Sequence, residues 1–352
     1  MPPIRQGVNA ADVDPHRHPP LRLAQVGFGY IGHRRTLVTA AHRDIEVVAI
    51  VDVDPKRLAL ARELVGDHVM LGTDYRQVLR LTRPDGAIIS TPNVLHAPMT
   101  LDALNMGIHV LCEKPLAINA ALAARCVAAA RRAGCVLKMG TNHRYWRGVV
   151  RLVGMVGDGA VGDVQRISGE IGHEFPDARS EWYREPEISG GGALIDNGPH
   201  LLDAVRHILA VCDGDRIRTV RCRTTRERDG LAVEDRATGN LVSARGREVD
   251  FVATWTDGPY RMNVDVVGTR GRLSLRGFEK LTFEGEGETS EHRFTGVPVL
   301  ESWQRDVDAF VARLRGAQAI RRFDENGTGL ATAELVDALY RSSSCNASPV
   351  EI

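Results

Sequence analysis

Lysine is nearly missing from this chain: Lys56, Lys114, Lys138 and Lys280 stand against 41 arginines. Net charge is missing as well. Lys+Arg and Asp+Glu are equal at 45 each, so no overall field draws in a polyanion, and nucleic acid is not an expected partner. No apolar run approaches the roughly 20 residues that span a bilayer, so no membrane partner is expected either. The opening MPPIRQGVNAADVDPHRHPP has no apolar centre of a signal peptide. It is polar and proline-rich, and residues 1–20 read as a disordered lead-in. His16 and His18 inside it are either metal ligands or members of a solvated tail, and the tail is the expectation. Close cysteine pairs are absent: Cys112, Cys126, Cys135, Cys212, Cys222 and Cys345 form no CxxC. That excludes a zinc ribbon and a disulfide framework, predicts no metal, and points to reduced thiols in a cytoplasmic protein.

What the chain does have, from Leu21, is short apolar runs alternating with helical segments. LRLAQVGFG, IEVVAIVD, GAIISTPN, IHVLCEKP and VLKMGTNH read as strands, and the segments between them carry helical periodicity, among them 31–41, PKRLALARELV, APMTLDALNMG and AALAARCVAAARRAG. Such alternation predicts a doubly wound parallel sheet of Rossmann type over residues 21–141. Beyond that the character changes. A helix over 194–209 is followed by the β-like runs IRTVRCRTT, RATGNLVSA, REVDFVATW, RMNVDVVG and GRLSLRG, then by two helical segments, SWQRDVDAFVARLRG and TGLATAELVDALYRSS. Residues 142–352 therefore read as an α+β domain on a large, mainly antiparallel open sheet, giving an α/β protein overall.

The first chemical motif is Gly27-Phe28-Gly29-Tyr30-Ile31-Gly32, G-x-G-x-x-G between a strand and a helix. The first glycine permits the turn, the second lets backbone approach a pyrophosphate, and the third lets helix and strand pack closely. Asp52, followed by Val53, ends the next strand, where a carboxylate accepts from a ribose diol and repels a 2′-phosphate. The expected cofactor is NAD, with NADP the lesser alternative because Lys56 and Arg57 stand nearby. Thr91-Pro92-Asn93 ends the third strand and leads to His96. These groups either meet the ribose or nicotinamide or make a turn and a helix start.

Glu113-Lys114-Pro115 lies at another strand's carboxyl end, on the same rim. Lys114 is a surface lysine, or an ammonium that stabilises an alkoxide as hydride leaves, with Glu113 orienting it. In the second half, GGGALIDNGPHLLD sets Asp196, Asn197 and His200 within one turn or so of a helix that Pro199 should distort. His200 can take a hydroxyl proton and Asp196 can orient it, or the pair is a capping acid with a half-buried histidine. The triple glycine suits close approach to a ligand or to the other domain. Asn142-His143-Arg144-Tyr145-Trp146, His173-Glu174-Phe175 and Trp182-Tyr183-Arg184 supply polar and aromatic groups suited to a polyhydroxylated ligand or to a domain interface.

Together, the glycine loop with Asp52, the TPN turn, the EKP triplet, the glycine run with D-x-G-x-H, and Val267-Gly268-Thr269-Arg270-Gly271 resemble the Gfo/Idh/MocA oxidoreductases, the glucose–fructose oxidoreductase and inositol dehydrogenase group. The resemblance covers nearly everything after residue 20. It implies a substrate domain that often builds homodimers or homotetramers through its sheet. It also implies that Lys114 holds the reacting hydroxyl, that His200 is the acid/base, and that Asp196 is its partner in substrate binding and proton relay. Histidine rather than tyrosine at position 200 favours the inositol-dehydrogenase-like subset. The implied activity is NAD-dependent oxidation or reduction of a sugar or cyclitol, possibly amino-substituted. The alternatives are an NAD-retaining glycoside hydrolase of the same family or a non-catalytic, NAD-responsive regulator.

Overall fold

The computed structural model describes residues 18–175, 180–256, 258–296, 298–316 and 325–352. Most of the expected lead-in, with His16, lies outside them; His18 and the prolines that follow it are exposed. The first sheet takes β1 (Leu21–Val26), α1 (Tyr30–Ala41), β2 (Ile45–Val51), α2 (Pro55–Val65), β3 (Met70–Gly72), α3 (Tyr75–Thr82), β4 (Gly86–Ile89), α4 (Asn93–Asn105), β5 (His109–Glu113), α5 (Ala120–Ala133) and β6 (Leu137–Gly140). Its strands are all parallel in the order β3-β2-β1-β4-β5-β6, the doubly wound arrangement expected. Helices cover both faces, so β4 is buried at all four positions and reads as an unbroken apolar run. Local chemistry sets the helix ends. Asp54 accepts from Lys56 N ahead of Pro55 at the first helical position, Asn119 caps α5, and α5 stops at Gly134 in the left-handed region.

The remainder is built from α6 (Arg147–Gly157), β7 (Val164–Gly172), α7 (Pro186–Ser189), α8 (Ala193–Asp196), α9 (Gly198–Val211), β8 (Ile217–Thr225), β9 (Arg236–Ser243), β10 (Glu248–Thr254), β11 (Arg261–Gly268), β12 (Arg272–Arg276), β13 (Lys280–Gly285), β14 (Glu288–Arg293), α10 (Pro298–Leu314), α11 (Glu325–Ser344) and β15 (Val350–Glu351). Nine strands lie in the order β14-β13-β12-β11-β7-β10-β9-β8-β15. All pairs are antiparallel except β7 with β10. Alternation sorts the two faces: Met262, Val264 and Val266 of β11 enter the core under α6, α9 and α11, while Asp265 on the other face meets Arg272 and Arg276. The last two helices return to the first sheet. Trp303, Val307, Phe310 and Val311 of α10 join the apolar cluster of β1, β2 and α1, and α11 lies against α5 and β6.

Two expectations need correction. The helix expected over 194–209 is broken: α8 ends at Asp196 and α9 restarts at Gly198, because Pro199 cannot donate and fits only at a helix start. The strand that lies between β11 and β10, β7, escaped the pattern because VQRISGEIG buries its residues unevenly.

Candidate active site

At the glycine loop each glycine has a different reason to be there. Gly27 has φ +85° and a Cβ on it would stand 2.6 Å from Ser90 O; a Cβ on Gly32 would stand 1.9 Å from Gly27 O. At Gly29 the nearest atom is 3.7 Å away, so that position alone of the three leaves room for a ligand against the backbone. Gly29 opens α1 with no capping side chain, leaving the positive end of the helix to an anion. Asp52 closes the loop from β2, accepting from Phe28 N at 2.6 Å and from Asp54 N at 2.9 Å. Arg57 lies 3.5 Å from the same carboxylate. Tyr30 and Val53 flank the loop in solvent, Ile31 is half-buried, and Phe28 is buried edge-on to His33.

One strand over, Ser90 Oγ and Thr91 Oγ1 are buried without a hydrogen-bond partner at the end of β4, beside Pro92. An open cradle at Gly29, an acid at β2 and unpartnered hydroxyls at β4 fit a dinucleotide laid across the carboxyl ends of the strands. Two other residues expected to touch it do not face it. Asn93 is buried and its Nδ2 donates to Ser189 O at 2.8 Å. His96 is buried, with Nδ1 2.6 Å from Pro115 O and Nε2 2.8 Å from Thr91 O. The first turn of α4 points these two side chains into the protein rather than over the strand ends.

Lys114 follows β5, and the Lys114–Pro115 peptide is cis. Its ammonium crosses to the second half of the chain, donating to Asp196 Oδ1 at 2.7 Å and to Asp196 O at 2.8 Å. Asp196 is held from its other side by Trp255 Nε1, 3.1 Å from Oδ2. Trp255 in turn packs on Phe175, which meets Tyr183 and so the stacked Trp182–Tyr183 pair. Glu113 is a correction: it faces the interior, where Oε1 takes Arg35 Nε at 2.7 Å and Nη2 at 2.6 Å. Arg35 continues to Asp306 of α10, which also binds Lys138. Burial alone would raise the Asp306 carboxyl, and the charges of Lys138 and Arg35 overcome it and hold it below the ordinary range.

His200 sits in the first turn of α9, buried, with Nδ1 unpartnered. Burial, then the Lys114 ammonium and the Arg35 guanidinium, push its pKa well below the ordinary 6.5. It is thus a neutral imidazole near neutral pH, able to accept a proton. Its ring stacks on His143 at 3.6 Å. His143 Nδ1 meets Asn142 Oδ1 at 3.0 Å and Nε2 meets Tyr260 Oη at 2.7 Å. Burial first, and then His200 and Lys114, keep His143 neutral as well. His173 tilts against Tyr260 and meets Asn197 Nδ2 at 3.4 Å, while Asn197 also donates to Thr254 O at 3.2 Å. Lys114, Asp196, His200, Asn197 and His173 therefore converge.

Arg144 does not join them: it is buried and forked onto Asp203, Nε at 3.0 Å and Nη2 at 2.5 Å, tying α9 to the segment after β6. Tyr145 lies with its ring facing Lys138. Tyr260 and Trp255 were not singled out from the sequence, and His143 was read only as one of the polar groups of its segment. His143 sits in the segment with Arg144, Trp255 carries only the signal of an aromatic ending an apolar strand, and Tyr260 carries none. Among the described residues no group of histidine, cysteine and acid could hold a metal ion, and no helix is long and apolar enough to cross a membrane.

The glycine run is packed against protein. A Cβ on Gly190 would meet Ile118 of the first half at 2.8 Å, one on Gly191 would meet Tyr340 Oη at 2.1 Å, and one on Gly192 would meet Glu234 O at 1.8 Å. Buried Glu234 accepts from Gly192 N and Leu194 N, both at 3.0 Å, and from Tyr340 Oη at 2.8 Å, and so holds the turn that carries Asp196.

Known proteins resemble this chain in sequence and in fold. Residues 21–141 match the oxidoreductase family with NAD-binding Rossmann fold, and residues 149–274 match the GFO/IDH/MocA C-terminal domain. The putative UDP-kanosamine synthase oxidoreductase subunit of Amycolatopsis mediterranei is 31% identical over 276 residues, 73% of this chain and 75% of that one. The D-glucoside 3-dehydrogenase of Escherichia coli is 31% identical over 193 residues, 54% of each chain. An inositol dehydrogenase homologue from Azotobacter vinelandii, solved with NAD+, superposes with a TM-score of 0.83 at 20% identity, over 95% of this chain and 98% of that one, and shows the shared fold. With both halves matching one family and a relative aligned along three quarters of its length, this chain belongs to the Gfo/Idh/MocA family of NAD-binding oxidoreductases, enzymes acting on CH–OH groups.

Proposed function

We propose that the protein interconverts a secondary alcohol and a ketone on a sugar or cyclitol, with His200 as acid/base and Lys114 holding the reacting oxygen. The observation that carries it is the Lys114 ammonium fixed on Asp196, 2.7 Å away, beside a neutral His200 whose Nδ1 has no partner. When bound, NAD supplies the acceptor or donor of the hydride. The chain's residues do the rest. His200 takes the hydroxyl proton as oxidation proceeds, and Lys114 stabilises the oxygen as it gains charge. Asp196 orients Lys114, and Trp255 and the Glu234 cap orient Asp196. His143, His173, Asn197 and Tyr260 offer donors and acceptors to further hydroxyls, and Trp182 with Tyr183 offers apolar faces. Asp52 favours NAD over NADP, since an acid at that place repels a 2′-phosphate. The relatives named for a glucoside, a nucleotide-linked sugar and an inositol support the polyol class. Assembly into homo-oligomers through the open face of the second sheet belongs to the same proposal, and equilibrium sedimentation tests it.

The experiment is a screen of sugars, aminosugars and inositols for NADH formation, with NAD and NADP in parallel. Reduction of NAD by at least one polyol, with NADP much slower, is expected. NADH formed by none of them overturns the proposal, and release of a free sugar from a glycoside without net NADH would place the chain among hydrolases.

A further inference from the structure

α8 is a single turn that ends on Asp196, and Lys114 Nζ donates to both the carboxylate and the main-chain oxygen of that residue, 2.7 and 2.8 Å away. A shift of this turn therefore moves both of the atoms that hold the ammonium. The first N–H groups of a helix have no partner within it, and two residues from distant elements take all four here. Glu234, just ahead of β9, accepts from Gly192 N at Oε2, from Ala193 N at its main-chain oxygen and from Leu194 N at Oε1. Ile195 N faces Tyr340 Oη of α11. An amide N–H only donates, so the Tyr340 oxygen accepts from Ile195 and its own proton goes to Glu234 Oε1, 2.8 Å away. The Glu234 side chain thus accepts in each of these contacts, as a carboxylate does, and a negative charge suits the start of a helix. From the next residue, Asp235 O accepts from Trp255 N, and the Trp255 indole holds the far oxygen of Asp196.

We propose, resting on the roles given above to Lys114 and Asp196, that Tyr340 is a positioning residue that sets Asp196 against Lys114 through Glu234 and α8. Tyr340→Phe keeps the ring and removes only the hydroxyl. Burial raises the Glu234 carboxyl, and the hydrogen bond from Tyr340 leads those that offset it. Among the described residues the other titratable group facing Glu234 is Cys222 of β8, a neutral thiol that burial pushes up to about 12. Without the Tyr340 hydroxyl, Glu234 takes up a proton at a higher pH than in the parent. A protonated carboxyl has one acceptor fewer for the amides, and the start of α8 loosens. Raising the pH restores the carboxylate and the cap, whereas it does not restore lost packing.

The test compares Tyr340→Phe with the parent across about pH 6–9 by two readouts. One is the indole NMR signal of Trp255 in protein carrying isotope-labelled tryptophan, assigned among the four tryptophans by Trp255→Phe, and it needs no substrate. The other is kcat on a polyol found in the screen. At the alkaline end the signal should match the parent and kcat should lie within about threefold of it. Toward the acid end the signal should move and kcat should fall about tenfold, along one ionisation that the parent lacks in this range, with NADH affinity within about twofold throughout. Glu234→Gln should stay at the low level at every pH, and Tyr340→Phe decides alone where that variant does not fold. A deficit in Tyr340→Phe that is equal at every pH, no deficit at any pH, or failure of Tyr340→Phe to fold overturns the proposal. If no polyol is oxidised, the indole signal still reports where Asp196 is held, so the two proposals fail separately.

Discussion

The Lys114 ammonium rests 2.7 Å from Asp196 Oδ1, joining the end of β5 to the end of α8 across 82 positions of sequence. Asp196 is almost fully buried, so the pair replaces the hydration both charges lose. The indole of Trp255 donates to the second carboxylate oxygen. Trp255→Phe keeps the ring's burial and removes that donor. Turnover is expected to fall about tenfold, as loss of a hydrogen bond to a buried charge costs roughly 1–3 kcal/mol, with NADH binding unchanged. Steady-state kinetics beside an NADH titration checks it; unchanged turnover would remove Trp255 from the account.

The glycines of the loop make opposite predictions. Gly29→Ala meets nothing nearer than 3.7 Å, so the fold should keep its stability while NADH affinity drops about tenfold or more. Gly32→Ala puts a methyl 1.9 Å from Gly27 O and should destabilise the protein by about 2–4 kcal/mol. Urea unfolding and NADH titration of both variants separate the two effects.

His200 makes a third. Burial, Lys114 and Arg35 lower its pKa, so it stays deprotonated below pH 6.5. Oxidation rates should therefore hold their plateau as pH falls through the ordinary histidine range. In Lys114→Met the second of these influences is gone and the cationic ring is favoured, so imidazole NMR should show His200 titrating at higher pH than in the parent. A downward shift would contradict the assignment.

Stability should also depend on pH, with a definite sign. His96, His143 and His200 are fully buried and burial lowers each pKa below 6.5. As pH falls below that value, the unfolded chain takes up protons that the folded chain refuses, so folding is weakened. Urea unfolding at about pH 5 should give a free energy on the order of 2–6 kcal/mol below that at about pH 7. Equal values at the two pH values would mean that these rings charge without cost.

Much of the site was legible because its parts lie at strand ends. Apolar runs that stop at glycine, Asp52, Thr91 or Lys114 mark the carboxyl rim of a parallel sheet, and the rim is where ligands bind. Side-chain direction was less legible. Glu113, Asn93, His96 and Arg144 each sit beside a rim residue, yet each turns inward to a partner distant in sequence: Arg35, Ser189, Pro115 and Asp203. Period and spacing carry no record of such partners. The same limit hid Tyr260 and Trp255, whose places depend on how β10 and β11 lie in the second sheet. The glycine run was read as room for a close approach, and the close approach is to Ile118, Tyr340 and Glu234.

The most direct measurement is turnover of Lys114→Met on a polyol that the parent oxidises, taken together with NADH affinity and the unfolding free energy of the same preparation. Loss of an oxyanion donor predicts kcat reduced about a hundredfold or more, with NADH bound within about twofold of the parent and the protein still folded. A folded variant that turns over at close to the parent rate would contradict the assignment of Lys114 to the reacting oxygen.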